Sequence, residues 1–406
     1  MVKAGGQDSS GTADPELVER VRAGARAVLE SNWLPDRGCC VPKPMTYPHR
    51  WLWDSCFHAI AWASLGDQRC ITELRTTLAT PFRSGFVPHM AYFGPTIARG
   101  PRDDASSVTQ PHVFCHAAVV VRDLGFAVDD ELVEACVRGM EALWALRMAD
   151  DGLLTIVHPW EAGWDDSPRW DAWAGSSDWE RDHWTQVDLD LIDALTFDPE
   201  GAAVGSTAFE VASTGFNAIA AHGAIALAQL LADDDPRAAE WARRGRALAD
   251  AMDALCWDDE AGQWVDVVRT GPSTGLSAEL GSAHRAPTLD GLLPALVTSD
   301  PDRAARALER LERLHLRPYG VTFVATDAPM FDADLYWRGT AWPPLDHYSH
   351  LLAQRLGRSD VAARIAGASV DGALASGFAE HRNACTGEGR GHIPVTWAAS
   401  AAWFVR

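Results

Sequence analysis

Two kinds of helical segment alternate along this chain, and the alternation constrains the fold more than any other feature. Segments that are apolar nearly all round occupy residues 51–66, 110–125 and 213–232. Segments with a single apolar stripe occupy residues 133–144, 241–255 and 304–311. A helix that is apolar all round is buried on every side, whereas a one-faced helix keeps one side in water. The pattern therefore predicts an inner ring of helices wrapped by an outer ring, an α/α toroid.

Strand-like patterns are few and short, which places the chain in the all-α class with short β-hairpin insertions. They occur at residues 152–157, 262–268 and 320–326, too little for a main sheet. Asp14 and Pro15 can cap and start the first helix, and the polar residues 1–13 before them predict a disordered tail. No linker or repeat divides residues 14–406, so a single domain is expected. Two separate helical bundles are the alternative that periodicity leaves open.

The net charge and the cysteine content of the chain limit the partners and cofactors that it is expected to bind. The net charge of -21 opposes binding to nucleic acid or to an anionic membrane, since both require Lys and Arg to neutralise phosphates. The N-terminus lacks the apolar core of a signal peptide, and the eight cysteines form no CxxC pair. We expect a cytoplasmic protein with no metal site and no disulfide framework. A homo-oligomer is compatible with the sequence.

Tryptophan is unusually abundant and lies beside charged residues. Many of the 18 tryptophans occur in four polar, aromatic stretches at loop-to-helix junctions, such as "YPHRWLWDSCFH" and "DADLYWRGTAWPPLDHY". Aromatic faces stack on sugar rings, and carboxylates and amides bind the hydroxyl rim. In a closed ring the loops at one end converge, so these distant stretches can line one pocket. A carbohydrate pocket is predicted, and helix packing by tryptophan is the competing interpretation.

Two acidic residues suit the hydrolysis of a glycoside. That reaction needs one protonated carboxyl group and one carboxylate. In "EAGWDDSPRWD", Trp164 and Asp166 disfavour ionisation of Asp165 by desolvation and by like charge, as a proton donor requires. Glu380 in "FAEHRN" can serve as the base. Taken singly, an Asp in such a loop is more often a turn residue, and a single Glu is more often solvated.

The order of five motifs resembles bacterial glycoside hydrolase family 63, particularly its mannosylglycerate and glucosylglycerate hydrolases. The motifs are "YP..WLWDSCFH", "TQP", "HPWEAGWDDSPRWD", "YWRGTAW" and "AEH...TGEGRG...TW", and they run from about residue 45 to the C-terminus. The resemblance implies an (α/α)6 barrel that cleaves small α-glucosides or α-mannosides with inversion and without a cofactor.

The resemblance also implies the site residues. The general acid falls on Asp165 and the general base on Glu380. The sugar-contacting positions are Tyr47, Trp51, Trp53, Asp54, His89, Gln110, Tyr336, Trp337 and Trp342. For Trp53 and Trp337, core packing is the alternative role.

Three arginine and histidine side chains are expected to be structural. We expect Arg169 to tie its loop to Asp171, Arg338 to pair with Asp334 or Asp54, and His222 to be a satisfied core histidine.

Three positions depart from the family pattern. Asp166 stands where an Asn is usual, Thr340 replaces a Pro, and Val395 replaces a polar residue, often Gln. The loss of an amide at Val395 predicts that glycerate glycosides bind weakly and that a less polar aglycone is preferred. Candidates for capturing a glycerate carboxylate are His49, Arg50, Arg99, Arg102 and Arg382.

Two other functions remain open at this level. One is a catalytically silent, carbohydrate-binding barrel. The other is an isomerase of the N-acylglucosamine epimerase type, which would use histidines such as His89, His116 and His158.

Overall fold

The computed structural model describes residues 14–94, 100–272 and 282–406, so the predicted tail at residues 1–13 lies outside the described residues. The α-helices of these ranges are α1 (Pro15–Asn32), α2 (Leu52–Ser64), α3 (Arg69–Leu78), α4 (Phe114–Asp123), α5 (Asp130–Arg147), α6 (Asp171–Ala174), α7 (Arg181–Asp193), α8 (Thr214–Leu230), α9 (Pro236–Leu255), α10 (Pro301–Arg310), α11 (Pro343–Arg355) and α12 (Ser359–Ala375). Short 3-10 helices cover Pro159–Glu161, Pro168–Trp170, Ala283–Arg285, Leu289–Leu296 and Thr396–Val405, and a π-helical turn covers Leu311–His315. The chain is mostly helical, as predicted.

Six helical elements contact one another in a closed order. They are α2, α4, α8, the 3-10 helix Leu289–Leu296, α11 and the 3-10 helix Thr396–Val405, and the last packs against α2. A second set packs outside them. Helices α3, α9, α10 and α12 each pack on the inner element that precedes them, α5 packs on α3 and α8, and α1 packs on Thr396–Val405. This is the two-layer arrangement that the apolar patterns predict.

The burial of each helix follows its sequence pattern. Every residue of α2 is buried, as expected for a segment that is apolar nearly all round. In α9 the buried residues are Trp241, Gly245, Leu248, Ala249 and Met252, while Leu255 at its end is exposed. The side chain of Asp235 accepts a hydrogen bond from the Arg237 N–H, and Pro236 follows it, which fixes where α9 begins. The apolar stripe therefore decides which face of each helix contacts the inner ring.

The strands form two-stranded antiparallel sheets between the helices. They are β1 (Trp33–Leu34), β2 (Cys39–Cys40), β3 (Arg50–Trp51), β4 (Met90–Ala91), β5 (Leu195–Phe197), β6 (Ala203–Ser206), β7 (Glu210–Ala212), β8 (Trp257–Asp258), β9 (Gln263–Trp264), β10 (Val267–Thr270), β11 (Leu316–Arg317), β12 (Gly320–Val321), β13 (His381–Arg382) and β14 (Gly389–Arg390). Pairing joins β1 to β2, β3 to β4, β5 to β6, β7 to β10, β8 to β9, β11 to β12, and β13 to β14. Five of the seven pairs are short hairpins of the kind that the sequence predicts, whereas the pairs β3–β4 and β7–β10 join segments that are distant in sequence.

Buried ion pairs anchor the loop that follows α5, and two of the expected partners were wrong. Arg169 does not pair with Asp171: its Nη1 donates to Asp266 Oδ1 at 2.8 Å. Arg338 pairs with Asp171 through two hydrogen bonds of 2.9 and 2.7 Å rather than with Asp334 or Asp54. These partners are distant in sequence, so nothing in the local pattern indicates them.

His222 also differs from its expected role as a satisfied core histidine. It is only partly buried, and its ring centroid lies 4.9 Å from that of His116. Its Nδ1 has no hydrogen-bond partner among the described residues.

Within the described ranges, no helix is both long enough and apolar enough to cross a membrane.

Candidate active site

A cavity of about 600 Å³ gathers residues from widely separated parts of the chain. All of the predicted site residues line it: Tyr47, Trp51, Trp53, Asp54, His89, Gln110, Asp165, Tyr336, Trp337, Trp342 and Glu380. Val395 and Asp166, two of the departures from the family pattern, line it as well. Thr340, the third, is fully buried and is absent from the lining. The predicted residues therefore line one cavity.

A tight turn places Asp165 in the cavity wall. Gly163 has φ +87°, and a Cβ atom at this position would lie 2.9 Å from the ring of Trp53. Only glycine combines that backbone conformation with so close an approach. Trp164 is then fully buried, while Asp165 is partly exposed to the cavity. The carboxyl group of Asp165 makes no hydrogen bond or ion pair with the described residues, whereas its neighbour Asp166 accepts a hydrogen bond from Trp179 Nε1.

The surroundings of Asp165 favour its protonated form. Burial raises the pKa of Asp165 well above its usual value, and the nearby carboxylates of Asp166, Asp54 and Glu380 raise it further. Arg181 acts in the opposite direction but is the weakest of these influences. A carboxyl group that is desolvated and surrounded by like charge holds its proton at neutral pH. Asp165 can therefore donate a proton.

Glu380 is held by hydrogen bonds that favour its ionised form. Its Oε2 accepts from the His392 N–H at 2.9 Å, and its Oε1 accepts from the Tyr47 hydroxyl at 3.4 Å. Burial raises the pKa of Glu380, and the His392 N–H is the largest influence that lowers it again. Because Glu380 has donors and Asp165 has none, Glu380 is the carboxyl group of the two that ionises first.

Two further carboxyl groups increase the negative charge of the cavity. Burial raises the pKa of Asp54 to about 7, which is the effect expected for an acid within an apolar helix. Burial also raises the pKa of Asp166, whose Oδ2 accepts from Trp179 Nε1 at 2.7 Å. The cavity therefore concentrates carboxyl groups, and burial favours their protonated forms.

The aromatic residues of the cavity divide into a buried set and a partly exposed set. Trp337 and Trp342 stack face to face, with ring centroids 3.8 Å apart and planes at 5°. Each exposes only 1% of its surface, as does Trp53, so core packing accounts for most of their area. Trp337 also has φ +42°, a strained conformation for a non-glycine residue and one that concentrates at functional sites. The rings of Tyr47, Trp51 and Tyr336 are partly exposed and offer the surface for a sugar.

Sequence reasoning missed one complete face of the cavity, which belongs to α7. Arg181, Thr185 and Asp188 all line the cavity and lie four and three residues apart, the spacing of one helix face. Arg181 Cζ lies 4.8 Å from the ring centre of Tyr336 and 5.2 Å from that of Trp179. Among the described lining residues it is the only Lys or Arg. No pattern in "RDHWTQVDLDLID" singles out this face, because most residues of the helix are polar.

Most of the cations expected to hold a glycerate carboxylate point elsewhere. Arg50 donates to the Thr76 carbonyl, Arg102 pairs with Asp104 at 2.7 Å, and Arg382 pairs with Asp346. Arg99 lies outside the described residues. Among the four described members of that set, only His49 lines the cavity.

The histidines that an epimerase would need do not converge on the cavity. His89 lines it, but His116 and His158 do not. His116 Nε2 lies 2.8 Å from His347 Nε2, and His158 Nε2 lies 3.0 Å from the Asp188 carbonyl. The cavity therefore lacks the proposed set of three histidines.

One group with metal-ligand side chains occurs in the described ranges, away from the cavity. It consists of Cys40, His58 and Glu73, all fully buried. The two oxygens of Glu73 face the Cys40 N–H at 2.9 Å and His58 Nδ1 at 3.3 Å. Since these protein groups already satisfy the carboxylate, the cluster joins β2, α2 and α3.

Comparison with known proteins identifies the class to which this fold and cavity belong. Residues 47–400 match the model of the mannosylglycerate hydrolase MGH1-like glycoside hydrolase domain. The chain belongs to this family and is a glycoside hydrolase.

Individual relatives and a solved structure agree with the family. The chain is 30% identical to a mannosylglycerate hydrolase of Thermus thermophilus, over 90% of this chain and 95% of that protein. It is 29% identical to a glucosylglycerate hydrolase of Mycolicibacterium hassiacum, over 88% and 92% respectively. The crystal structure of a GH63 mannosylglycerate hydrolase from Thermus thermophilus, in complex with Tris and D-glycerate, superposes with a TM-score of 0.75 at 26% identity. That comparison covers 95% of this chain and 99% of the solved one.

Proposed function

We propose that this protein is a single-domain (α/α)6-barrel glycosidase that cleaves a small α-glucoside or α-mannoside with inversion of configuration. One observation carries the proposal. A carboxyl group without hydrogen-bond donors, Asp165, and a carboxylate held by two donors, Glu380, line the same cavity. Different environments for two carboxyl groups assign one as acid and the other as base. We also propose that the protein is located in the cytoplasm.

The chemistry uses each carboxyl group once. Asp165 gives its proton to the glycosidic oxygen as the bond from that oxygen to the anomeric carbon breaks. A water molecule attacks the anomeric carbon from the opposite face, and its proton passes to Glu380. Inversion requires space for this water, so we expect the two carboxyl groups to lie about 6.5 to 9.5 Å apart around a bound substrate.

Arg181 favours an anionic aglycone such as glycerate. Its guanidinium lies over Tyr336 at the cavity and makes no hydrogen bond or ion pair with the described residues. Arginine binds a carboxylate through two parallel hydrogen bonds. The relatives named above are hydrolases of mannosylglycerate and glucosylglycerate. We therefore favour glycerate over the less polar aglycone that Val395 alone suggests.

The test is to follow the first product by proton NMR. Glucosylglycerate and mannosylglycerate, each with the α-linkage, are incubated with the protein, and the anomeric signal is recorded before mutarotation. The β-sugar is expected first. An α-sugar as the first product would contradict inversion. Sugar binding by calorimetry without any release of reducing sugar would favour a silent binding barrel.

A further inference from the structure

A short loop, residues 334–338, is held at both of its ends by side-chain hydrogen bonds to distant parts of the chain. Tyr336 and Trp337, in its middle, line the cavity. The acid–base chemistry proposed above uses neither of its end residues. We call this loop the bridging segment, because one end bonds to the part of the chain that carries the proposed acid and the other to the part that carries the proposed base.

The C-terminal end of the bridging segment is fixed to the chain beside the acid. Arg338 is 2% exposed, and it donates to the two carboxylate oxygens of Asp171 at 2.9 and 2.7 Å. Asp171 follows Trp170, whose indole N–H donates to the Trp164 carbonyl at 3.2 Å. Trp164 immediately precedes Asp165. A bidentate arginine pair fixes orientation as well as distance, so this pair constrains the turn that carries the acid.

The N-terminal end of the bridging segment is fixed to the hairpin of β13 and β14. Asp334 Oδ1 accepts hydrogen bonds from Asn383 Nδ2, at 2.7 Å, and from Arg390 Nη2. Asn383 follows β13, and its Oδ1 accepts from the N–H groups of Cys385 and Thr386 at 2.9 and 3.1 Å. Asp334 therefore bonds to both strands' ends of a hairpin whose turn is itself fixed.

That hairpin determines where the base lies. Glu380 immediately precedes β13, and its Oε2 accepts from the His392 N–H, two residues after the end of β14. Gly391 has φ +67°, and a Cβ atom at this position would lie 2.4 Å from Glu380 Oε2. The carboxylate thus packs directly on the backbone of the hairpin. A shift of the hairpin would therefore move the carboxylate with it.

The backbone between the two anchors is strained. Trp337 has φ +42°, which is unfavourable for a residue other than glycine and persists only where the surrounding structure holds it. Asp334 is anchored three residues before Trp337, and Arg338 is anchored directly after it. The anchors therefore hold the segment in one conformation rather than following a relaxed loop.

We propose that the bridging segment sets the separation of Asp165 and Glu380, with Arg338 as the positioning residue for the acid and Asp334 as the positioning residue for the base. The inference rests on the proposed glycosidase function and deepens it. An inverting reaction requires a spacing that admits one water molecule between the base and the sugar. A misplacement of about 1 Å can cost about 100-fold in rate.

The experiment uses two substrates that differ in their need for the acid, an α-hexosyl glycerate and an α-hexosyl fluoride. Fluoride leaves as an ion without a proton from the protein, while the attacking water still gives its proton to the base. Two variants calibrate the assay. Asp165→Asn should largely spare cleavage of the fluoride and impair cleavage of the glycerate compound, whereas Glu380→Gln should impair both.

Asp334→Ala tests the anchor of the base. It should lower kcat by about 10 to 100-fold on both substrates, with KM within a few fold of the wild-type value. Asp334→Asn keeps the accepting oxygen and should retain most of the activity. The Asp334 side chain is 56% exposed, so the melting temperature should stay close to that of the wild-type protein.

Asp360 provides the matched control for Asp334. It pairs with Arg358 at 2.7 Å, its side chain is 62% exposed, and it does not line the cavity. Asp360→Ala removes a comparable surface ion pair from a position without a link to the hairpin. It should leave kcat on both substrates at the wild-type value.

Arg338→Lys tests the anchor of the acid. It keeps a positive charge beside Asp171 but loses the planar fork that makes two hydrogen bonds. The kcat on the glycerate compound should fall by about 10-fold or more, and the kcat on the fluoride should fall much less. The two anchors should therefore give different patterns, whereas a general loss of folding would lower both activities alike.

Three results would overturn the inference. They are unchanged kcat values in Asp334→Ala, a rise in KM alone in that variant, or equal losses on both substrates in Arg338→Lys. If the wild-type protein cleaves both compounds and the calibrating variants behave as expected, any of these results leaves the glycosidase proposal standing. If the wild-type protein cleaves neither compound, both proposals are overturned.

Discussion

The acidic residues at the two ends of the segment from Glu161 to Asp171 are paired with arginine, whereas Asp165 in its middle is not. At one end, Glu161 accepts a hydrogen bond from Arg147 Nη2 at 2.6 Å, with both side chains fully or almost fully buried. At the other end, Arg338 holds Asp171 at 2.7 and 2.9 Å. In the middle, Asp165 has no arginine partner among the described residues and faces the cavity.

Within these eleven residues, the paired acidic residues stabilise the fold, and the unpaired one is available for the reaction. A buried carboxylate that is paired with arginine stays ionised and ties its loop to the rest of the fold. A buried carboxyl group that has no paired cation and is surrounded mainly by other carboxyl groups keeps its proton. Breaking the ion pair at either end should therefore destabilise the fold, and replacing Asp165 in the middle should stop the reaction.

The largest expected effect comes from the two reacting carboxyl groups. Asp165→Asn and Glu380→Gln should each lower kcat by about 10² to 10⁴-fold, the usual contribution of an acid or a base. The melting temperature should not fall, because Asp165 makes no hydrogen bond or ion pair with the described residues that could be lost, and Glu380→Gln removes a charge from a cavity crowded with carboxyl groups. Rates on an α-hexosyl glycerate and thermal denaturation of the same samples check this. An active Asp165→Asn variant beside an inactive Asp166→Asn variant would move the acid by one residue.

The second largest effect is on stability and concerns the buried ion pair of Glu161, at the start of the segment. Arg147→Met leaves Glu161 buried without its cation, which should lower the free energy of unfolding by about 3 to 5 kcal/mol. The kcat of the folded fraction should change little, because Arg147 is not part of the cavity lining. Urea denaturation followed by fluorescence gives the free energy.

A surface arginine provides the matched control for Arg147. Arg243 pairs with Glu240 at 2.7 Å, but its side chain is 66% exposed. Arg243→Met should change the free energy of unfolding by less than about 1 kcal/mol. Equal losses for the two variants would show that burial of the ion pair is not what stabilises the segment.

The sequence was sufficient to predict the inner and outer layers of helices and the residues that a local pattern identifies. Apolar periodicity identifies α2 and α9 as inner and outer helices because burial follows the stripe directly. The raised pKa expected for Asp165 agrees with the structure, where burial and its chain neighbour Asp166 raise that pKa, while its role as the acid came from the resemblance to the family. Local sequence thus predicts what local structure determines.

The residues that were missed depend on packing between distant segments. Asp171 meets an arginine 167 positions away and Arg169 meets an aspartate 97 positions away, and no local signal selects one partner over another. Arg181 and Asp188 lie on a largely polar helix, which by pattern alone belongs on the surface. They line the cavity because the face of α7 that carries Arg181, Thr185 and Asp188 is turned toward it.

A smaller effect tests the charge beside the acid. Asp166→Asn removes a like charge that raises the pKa of Asp165. The reaction needs Asp165 protonated, so activity is lost as pH rises through its pKa. The alkaline limb of the kcat/KM profile should therefore move to lower pH. The acidic limb, set by ionisation of Glu380, should stay in place. Movement of the acidic limb instead would mean that Asp166 acts on the base.

The smallest effect concerns a side chain of the cavity that cannot form a hydrogen bond. Val395 lines the cavity, and its backbone N–H is already used by the Phe378 carbonyl at 2.8 Å. Val395→Gln adds an amide that can reach a substrate hydroxyl, and one such neutral hydrogen bond is worth about 0.5 to 1.5 kcal/mol. The KM for an α-hexosyl glycerate should therefore fall by up to about tenfold, with little change in kcat. Val395→Leu adds volume without an amide and should give no such gain. If the two variants have the same KM, or if glucosylglycerate is already the best substrate and Val395→Gln brings no gain, the missing amide does not limit binding.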